Sequence, residues 1–85
     1  MICFHELAWD DYLYWQGVDR SKIVRINNLI KEASRTPFTG IGKPEPLKGD
    51  WAGYWSRRID EEHRLVYRFE KGNLMIASCR YHYSK

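Results

Sequence analysis

Residues 54–80 read YWSRRIDEEHRLVYRFEKGNLMIASCR, and the spacing within them decides the fold. Tyr54 to Ile59, His63 to Phe69 and Leu74 to Arg80 are rich in aromatic and β-branched residues, the composition of strands. Gly72-Asn73 reads as a tight hairpin turn between the last two, and Asp60-Glu61-Glu62 as a polar link between the first two. Side chains alternate across a strand. Leu65, Tyr67 and Phe69 therefore share one face, the natural core face, while Arg64, Val66 and Arg68 share the other. In the preceding strand, Trp55, Arg57 and Ile59 read as the core-side set. That turns Arg58 outward, onto the face of Arg64.

Upstream, the period changes. Residues 1–5 are short and apolar, consistent with a first strand. From Glu6 the spacing is helical, with Leu7, Ala8, Tyr12, Leu13 and Trp15 as apolar positions and Gly17 as the stop. Asp19 is a good N-cap for a second helix, in which Ile23, Ile26, Ile30 and Ala33 form an amphipathic stripe. The two helices predict an αα-hairpin. Thr36 to Asp50 holds all three prolines and three of the six glycines, so neither helix nor strand is expected there. A loop of that length in a small chain is usually functional. The order β-αα-βββ predicts an α+β fold, one domain over residues 1–85, with two N-terminal helices packed on an antiparallel sheet.

Composition narrows the function classes. The chain has 85 residues, 44% of them hydrophobic, and no run approaches the roughly 20 apolar residues of a membrane span. The expectation is a cytoplasmic protein without membrane attachment, its Cys3 and Cys79 reduced. The net charge is +3. Residues 1–42 carry five basic and five acidic side chains, and residues 43–85 carry nine against six. The excess positive charge in the second half points to a polyanion or an acidic protein as partner. Four Trp and six Tyr exceed the needs of a small core and supply rings for contacts.

Three places carry candidate chemistry. Glu45 lies in Pro44-Glu45-Pro46, where both prolines stiffen an extended backbone and present the carboxylate on a rigid mount, as a general base requires. Lys48 follows three residues later and brings an ammonium toward the same place. The ordinary alternative is a solvated loop carboxylate with a nearby counter-ion. Arg58 and Arg64 converge on the outer sheet face; alternatively these arginines solubilise that face and pair with Glu61, Glu62 or Glu70. The chain closes with Arg80-Tyr81-His82-Tyr83, in which the imidazole of His82 exchanges protons near neutrality; if the last strand continues, both tyrosine rings lie on the face opposite His82, and if it ends at Arg80, one ring can stack on a base. The alternative there is a frayed tail.

No second Cys/His pair accompanies Cys79 and His82, so the pattern does not match a zinc site, and His5 and His63 read as surface residues. Neither a glycine-rich phosphate loop nor a nucleophile elbow is present. One reaction fits a Glu, a His, several cations and no metal or other cofactor. An RNA strand supplies its own nucleophile, the 2′-OH. A base removes that proton, the oxygen attacks the adjacent phosphorus, an acid protonates the departing 5′-oxygen, and cations stabilise the phosphoryl charge. DNA, lacking the 2′-OH, is inert in such a scheme.

Trp9-Asp10-Asp11-Tyr12-Leu13-Tyr14-Trp15, Thr36-Pro37-Phe38, Gly42-Lys43-Pro44-Glu45-Pro46-Leu47-Lys48, Trp55-Ser56-Arg57-Arg58-Ile59, Glu61-Glu62-His63-Arg64-Leu65-Val66-Tyr67 and Cys79-Arg80-Tyr81-His82-Tyr83 resemble the YoeB toxins of the RelE-like superfamily of type II toxin–antitoxin systems. The resemblance covers nearly the whole chain. It implies a microbial-RNase-like α+β fold and an mRNA interferase that enters the ribosomal A site and cuts translated mRNA without metal. It also implies a homodimer and neutralisation by a YefM-type antitoxin. By motif position it assigns Glu45 as general base, His82 as general acid and Arg64 as the transition-state cation. Lys48 and Arg58 become phosphate-binding or supporting groups, and Tyr83 the aromatic that orients substrate. Ser84-Lys85 extends past the tyrosine that often closes the family. From the residues alone, two other readings stand beside this one: a non-catalytic RNA- or ribosome-binding module, and an interaction domain for an acidic protein. Binding alone does not require a carboxylate beside bound phosphate, where it would repel.

Overall fold

A computed structural model describes residues 1–81. The elements are β1 (Ile2–Phe4), α1 (Glu6–Val18), α2 (Arg20–Arg35), β2 (Glu45–Pro46), a 3-10 turn (Gly49–Trp51), β3 (Trp55–Arg58), β4 (Arg64–Glu70) and β5 (Asn73–Ser78). Two helices pack on one face of a sheet, as the sequence predicts. The five strands lie in the order β1-β5-β4-β3-β2. The sheet is mixed rather than wholly antiparallel, because β1 runs parallel to β5, with Ile2 opposite Leu74 and Phe4 opposite Ile76. Hairpin connections force antiparallel neighbours, whereas the two helices between β1 and the rest of the sheet allow the chain to return in the same direction.

The helical hairpin turns on one residue. Gly17 does not stop α1, which continues to Val18. Asp19, extended at φ −152°, ends one helix and starts the next. Its N–H donates to the Trp15 carbonyl at 2.9 Å, and its Oδ1 accepts from the Ser21 N–H at 3.0 Å and the Ser21 hydroxyl at 2.7 Å. These bonds satisfy backbone groups at both helix ends, and the interior glycine costs less than they contribute.

The core is formed by Ala8 and Trp15 of α1, by Ile26, Leu29, Ile30 and Ala33 of α2, and by Ile59, Leu65, Tyr67, Leu74 and Ile76 beneath them. Burial of each large side chain there contributes about 1.5–3 kcal/mol. The expected core face of β4 is correct, with Phe69 packed at its margin. Two apolar positions of α1 are not core: Leu7 is 65% exposed and Leu13 44%. Only Ala8, Tyr12 and Trp15, at i, i+4 and i+7, face the sheet, and one helix stripe cannot turn five positions inward.

Two turns differ from expectation. The β4–β5 hairpin is one residue earlier than Gly72-Asn73. Glu70 pairs with Asn73, and the intervening Lys71 (φ 53°) and Gly72 (φ 80°) take the left-handed conformation of a two-residue turn. In residues 36–50, expected to hold neither helix nor strand, Glu45-Pro46 forms a short strand against Ser56 and Trp55, and Gly49–Trp51 a 3-10 turn. Pro46 is tolerated because β2 is an edge strand, where its missing N–H leaves no ladder bond unmade.

Candidate active site

The β2–β3–β4 register brings the sequence-predicted residues of the sheet together. Glu45 lies opposite Ser56, Ser56 opposite Val66, and Arg58 opposite Arg64. Directly opposed residues share a face, so Glu45, Arg58 and Arg64 are all on the side away from the helices. At ordinary strand spacing, the Glu45 and Arg64 Cα positions stand about 12 Å apart, two strands across and two residues along. Glu45 and Lys48 also line one groove of about 660 Å³, together with Pro46, Leu47, Gly49, Asp50 and Trp51. Glu45, Lys48 and Arg58 are exposed, and Arg64 is half-buried.

The cations are not equivalent. Arg58 has no hydrogen bond or ion pair from its side chain among the described residues, although its carbonyl accepts from Arg25 at 2.9 Å. Arg64 is docked: its NH1 nitrogen donates to the carbonyls of Asp60 (2.7 Å), Glu61 (3.2 Å) and His63 (3.0 Å) in the β3–β4 turn. Arg68, on the same face, is engaged with Glu70 at 3.0 Å and lies over the Tyr54 ring. Arg68 thus makes the kind of glutamate pairing weighed above for Arg58 and Arg64.

The β3–β4 turn that holds Arg64 is itself charged and ordered. Asp60 Oδ1 accepts from the N–H groups of Glu62 (2.8 Å) and His63 (2.7 Å), and its Oδ2 pairs with the Lys22 ammonium at 2.8 Å. Partial burial alone would raise this carboxyl, but Lys22 and the two N–H groups outweigh it and hold it down at about 2.

The loop carrying Glu45 rests on a residue that the sequence did not single out. Arg57 is fully buried. Its guanidinium donates to the carbonyls of Thr36, Thr39 (2.8 Å) and Ile41 (3.1 Å) and to the Tyr67 hydroxyl (2.9 Å), which in turn donates to the Pro37 carbonyl at 2.6 Å. One planar fork thus gathers the carbonyls of residues 36–41. Gly42 follows at φ 83°, where a Cβ would stand 2.7 Å from Leu29, and its carbonyl accepts from the Arg58 N–H at 2.7 Å. Close approach to α2 requires glycine there. The signal available from sequence was Arg57 on the strand face otherwise occupied by Trp55 and Ile59.

The last described residues are tied to α1 and β4. The Cys79 N–H donates to Asp11 at 3.0 Å, and its carbonyl accepts from the Trp15 indole at 2.8 Å. Burial, and then the Asp11 charge, push the Cys79 thiol up to about 12; Cys79 and Cys3 are both free. Arg80 stacks on Tyr14 with its guanidinium carbon 3.5 Å from the ring centroid. The Tyr81 N–H donates to His63 Nδ1 at 2.6 Å, and its carbonyl accepts from the Arg64 N–H at 3.0 Å. His63, expected on the surface, is 8% exposed and packs edge-on against Trp15. His5 caps α1 by accepting from the Leu7 N–H. His82 and Tyr83 lie outside the described residues, whereas β5 ends at Ser78, short of the expected Arg80.

The profile of a family described as the YoeB-like toxin of bacterial type II toxin–antitoxin systems matches residues 4–83. The chain belongs to this family. The YoeB toxin of Escherichia coli K12 is 58% identical over 82 residues, which cover 96% of this chain and 98% of that one. The fold is also that of solved YoeB structures. A YoeB/ParE toxin from Agrobacterium tumefaciens superposes with a TM-score of 0.93 at 55% identity, over 96% of this chain and 98% of the other. Staphylococcus aureus YoeB, solved as a heterotetrameric complex with YefM, superposes with a TM-score of 0.91 at 48% identity, over 98% and 97%. The same toxin has been solved as a dimer. A more distant relative, the endoribonuclease HigB of Proteus vulgaris, is 31% identical over 67 residues, 73% of each chain. Among the described residues of this YoeB-like toxin, no three His, Cys, Asp or Glu side chains gather as a metal site.

Proposed function

We propose that this toxin is a ribosome-dependent endoribonuclease that cuts mRNA in the ribosomal A site, without metal, by attack of the 2′-OH. The observation that carries this reading is the register that sets Glu45, Arg58 and Arg64 on one face of the sheet, the side away from the helices. The chain enters His82 from Tyr81, which is hydrogen-bonded to the backbone of Arg64. Glu45 takes the 2′-OH proton, and the 2′-oxygen bonds to the adjacent phosphorus. His82 gives a proton to the departing 5′-oxygen, leaving a 2′,3′-cyclic phosphate and a 5′-OH. Arg64 offers the guanidinium N–H groups that the turn carbonyls do not hold to the phosphoryl oxygens. Lys48 and Arg58 hold the flanking backbone, and Tyr83 orients the base. Fixed cations at the place where charge develops are the largest contribution available to such a site.

Outside the site, Leu7, Trp9, Leu13 and Val18 are exposed apolar side chains on α1, available to a protein partner. With the solved complex and dimer of the Staphylococcus aureus toxin, this supports a homodimer neutralised by a YefM-type antitoxin. No helix among the described residues is long and apolar enough to cross a membrane, in keeping with a proposed cytoplasmic site of action.

The deciding experiment presents purified protein with translating ribosomes on defined mRNA. Cleavage is expected in the A-site codon and is expected to vanish when the cleaved nucleotide is 2′-deoxy. Cutting of the deoxy substrate would exclude the 2′-OH mechanism, and binding without cutting would favour a non-catalytic ribosome-binding module.

A further inference from the structure

The imidazole of His63 is buried, yet no step of the proposed reaction uses it. Its ring meets Trp15 edge-on at 4.8 Å between centroids and lies 5.2 Å from the Tyr81 ring. Its own backbone is fixed by the Asp60 carboxylate, through its N–H, and by the Ile59 N–H, which donates to its carbonyl at 3.0 Å. Nδ1 accepts the Tyr81 N–H at 2.6 Å. An acceptor nitrogen carries no proton, so the neutral ring bears its hydrogen on Nε2, which lies 3.6 Å from the Glu62 carboxylate.

Tyr81 is where that acceptor is needed. Its φ is 61°, a left-handed conformation disfavoured for a residue with a bulky ring. Such a conformation persists only where its surroundings over-determine it. Here the peptide is clamped from both ends, by His63 at its N–H and by the Arg64 N–H at its carbonyl. Two residues earlier, Cys79 is anchored independently by Asp11 and Trp15. The His63 bond therefore governs the direction the chain takes after Arg80 rather than whether β5 docks.

We propose that His63 is a positioning residue: its Nδ1 holds Tyr81 in the left-handed turn and so aims the chain into His82. The inference rests on the reading of His82 as the general acid. Phenylalanine would fill the same space against Trp15 but would leave the Tyr81 N–H without an acceptor.

The test compares His63→Phe and His63→Asn with the wild type in cleavage of ribosome-bound mRNA. His63→Phe keeps a ring beside Trp15 and removes the acceptor. His63→Asn places a carboxamide oxygen close to the position of Nδ1. A lost hydrogen bond of this kind predicts kcat lowered about tenfold in His63→Phe at unchanged KM, with most of the rate recovered in His63→Asn. Wild-type rates in His63→Phe, or equal loss in both variants, would overturn the proposal. Amide exchange at Tyr81 reads the anchor without any cleavage: faster in His63→Phe and slow in His63→Asn supports it, and equal exchange in all three proteins refutes it. If the wild type itself cuts nothing, the proposed function fails and exchange alone decides the anchor. Should His63→Phe not fold, His63→Gln, whose oxygen falls nearer Nε2, takes its place in both measurements.

Discussion

Arg58 and Arg64 stand directly opposite one another on β3 and β4, two like charges on adjacent strands. Like charges directly opposite one another destabilise a sheet. Arg64 spends part of its hydrogen-bonding capacity on turn carbonyls, whereas Arg58 has no partner from its side chain among the described residues. A bound phosphate would relieve the repulsion, so here function and stability pull in opposite directions. Arg58→Gln is expected to raise the urea midpoint slightly while weakening ribosome-dependent cleavage and flattening its salt dependence. A variant that loses stability and keeps full cleavage would remove Arg58 from the phosphate site.

Glu45 and His82 are assigned the two proton transfers. Glu45→Ala and His82→Ala should each slow cleavage by at least about 100-fold. Removing the Glu45 carboxylate also removes a repulsion, so Glu45→Ala should bind an uncleavable 2′-deoxy mRNA on the ribosome at least as tightly as the wild type. Rapid quench kinetics with filter binding separates the two effects. A near-normal rate in either variant withdraws that residue's role.

Arg57 is predicted to matter for the fold and only through it for the site. Replacing it with Met leaves the carbonyls of Thr36, Thr39 and Ile41 and the Tyr67 hydroxyl without their donor. The cost should be about 3 kcal/mol or more. Arg57→Lys should recover only part of it, because an ammonium cannot reproduce the planar fork. Chemical denaturation measures both variants, and a loss below about 1 kcal/mol in Arg57→Met contradicts this account.

Asp60 predicts the acid limb of stability. Its carboxyl is held at about 2 in the folded chain against an ordinary value of 3.8. The folded state thus binds fewer protons there than the unfolded state, so the stabilisation is complete above about pH 4. It is lost as pH falls through the folded value. Asp11 works in the opposite sense, because burial raises its carboxyl despite the Cys79 N–H and Arg80. The difference between wild type and Asp60→Asn isolates the first effect. It should shrink as pH falls from about 4 toward 2, and a difference independent of pH over that interval would refute the assignment.

Much of this architecture is local and was legible from residue spacing. The period of two in residues 64–69 set the two faces of β4, and the stripe of Ile26, Ile30 and Ala33 set the buried side of α2. Asp19 announced the break between the helices, and Pro44-Glu45-Pro46 announced an extended, exposed carboxylate. Each depends on backbone preferences that act within a few residues of the signal. The family likeness rests on the same short blocks of sequence, which is why the candidate base, acid and cation are nameable from the residues alone.

What only the tertiary structure decided are relations between residues far apart in the chain. The register that places Arg58 across from Arg64 and Glu45 across from Ser56 is a choice among alternative pairings, settled by turn lengths and by which face the helices bury. His63 looked like a surface residue because nothing nearby in sequence hides it; Trp15, 48 positions earlier, covers it and Tyr81 uses it. Arg57 fell on the core-side face with Trp55 and Ile59 but had no visible partner in the sequence; it closes the loop that carries Glu45, because a buried guanidinium must find enough acceptors and the carbonyls of residues 36–41 needed a donor. The sequence determined which elements form and which chemical groups they carry. Packing and the satisfaction of buried polar groups determined which of those groups meet.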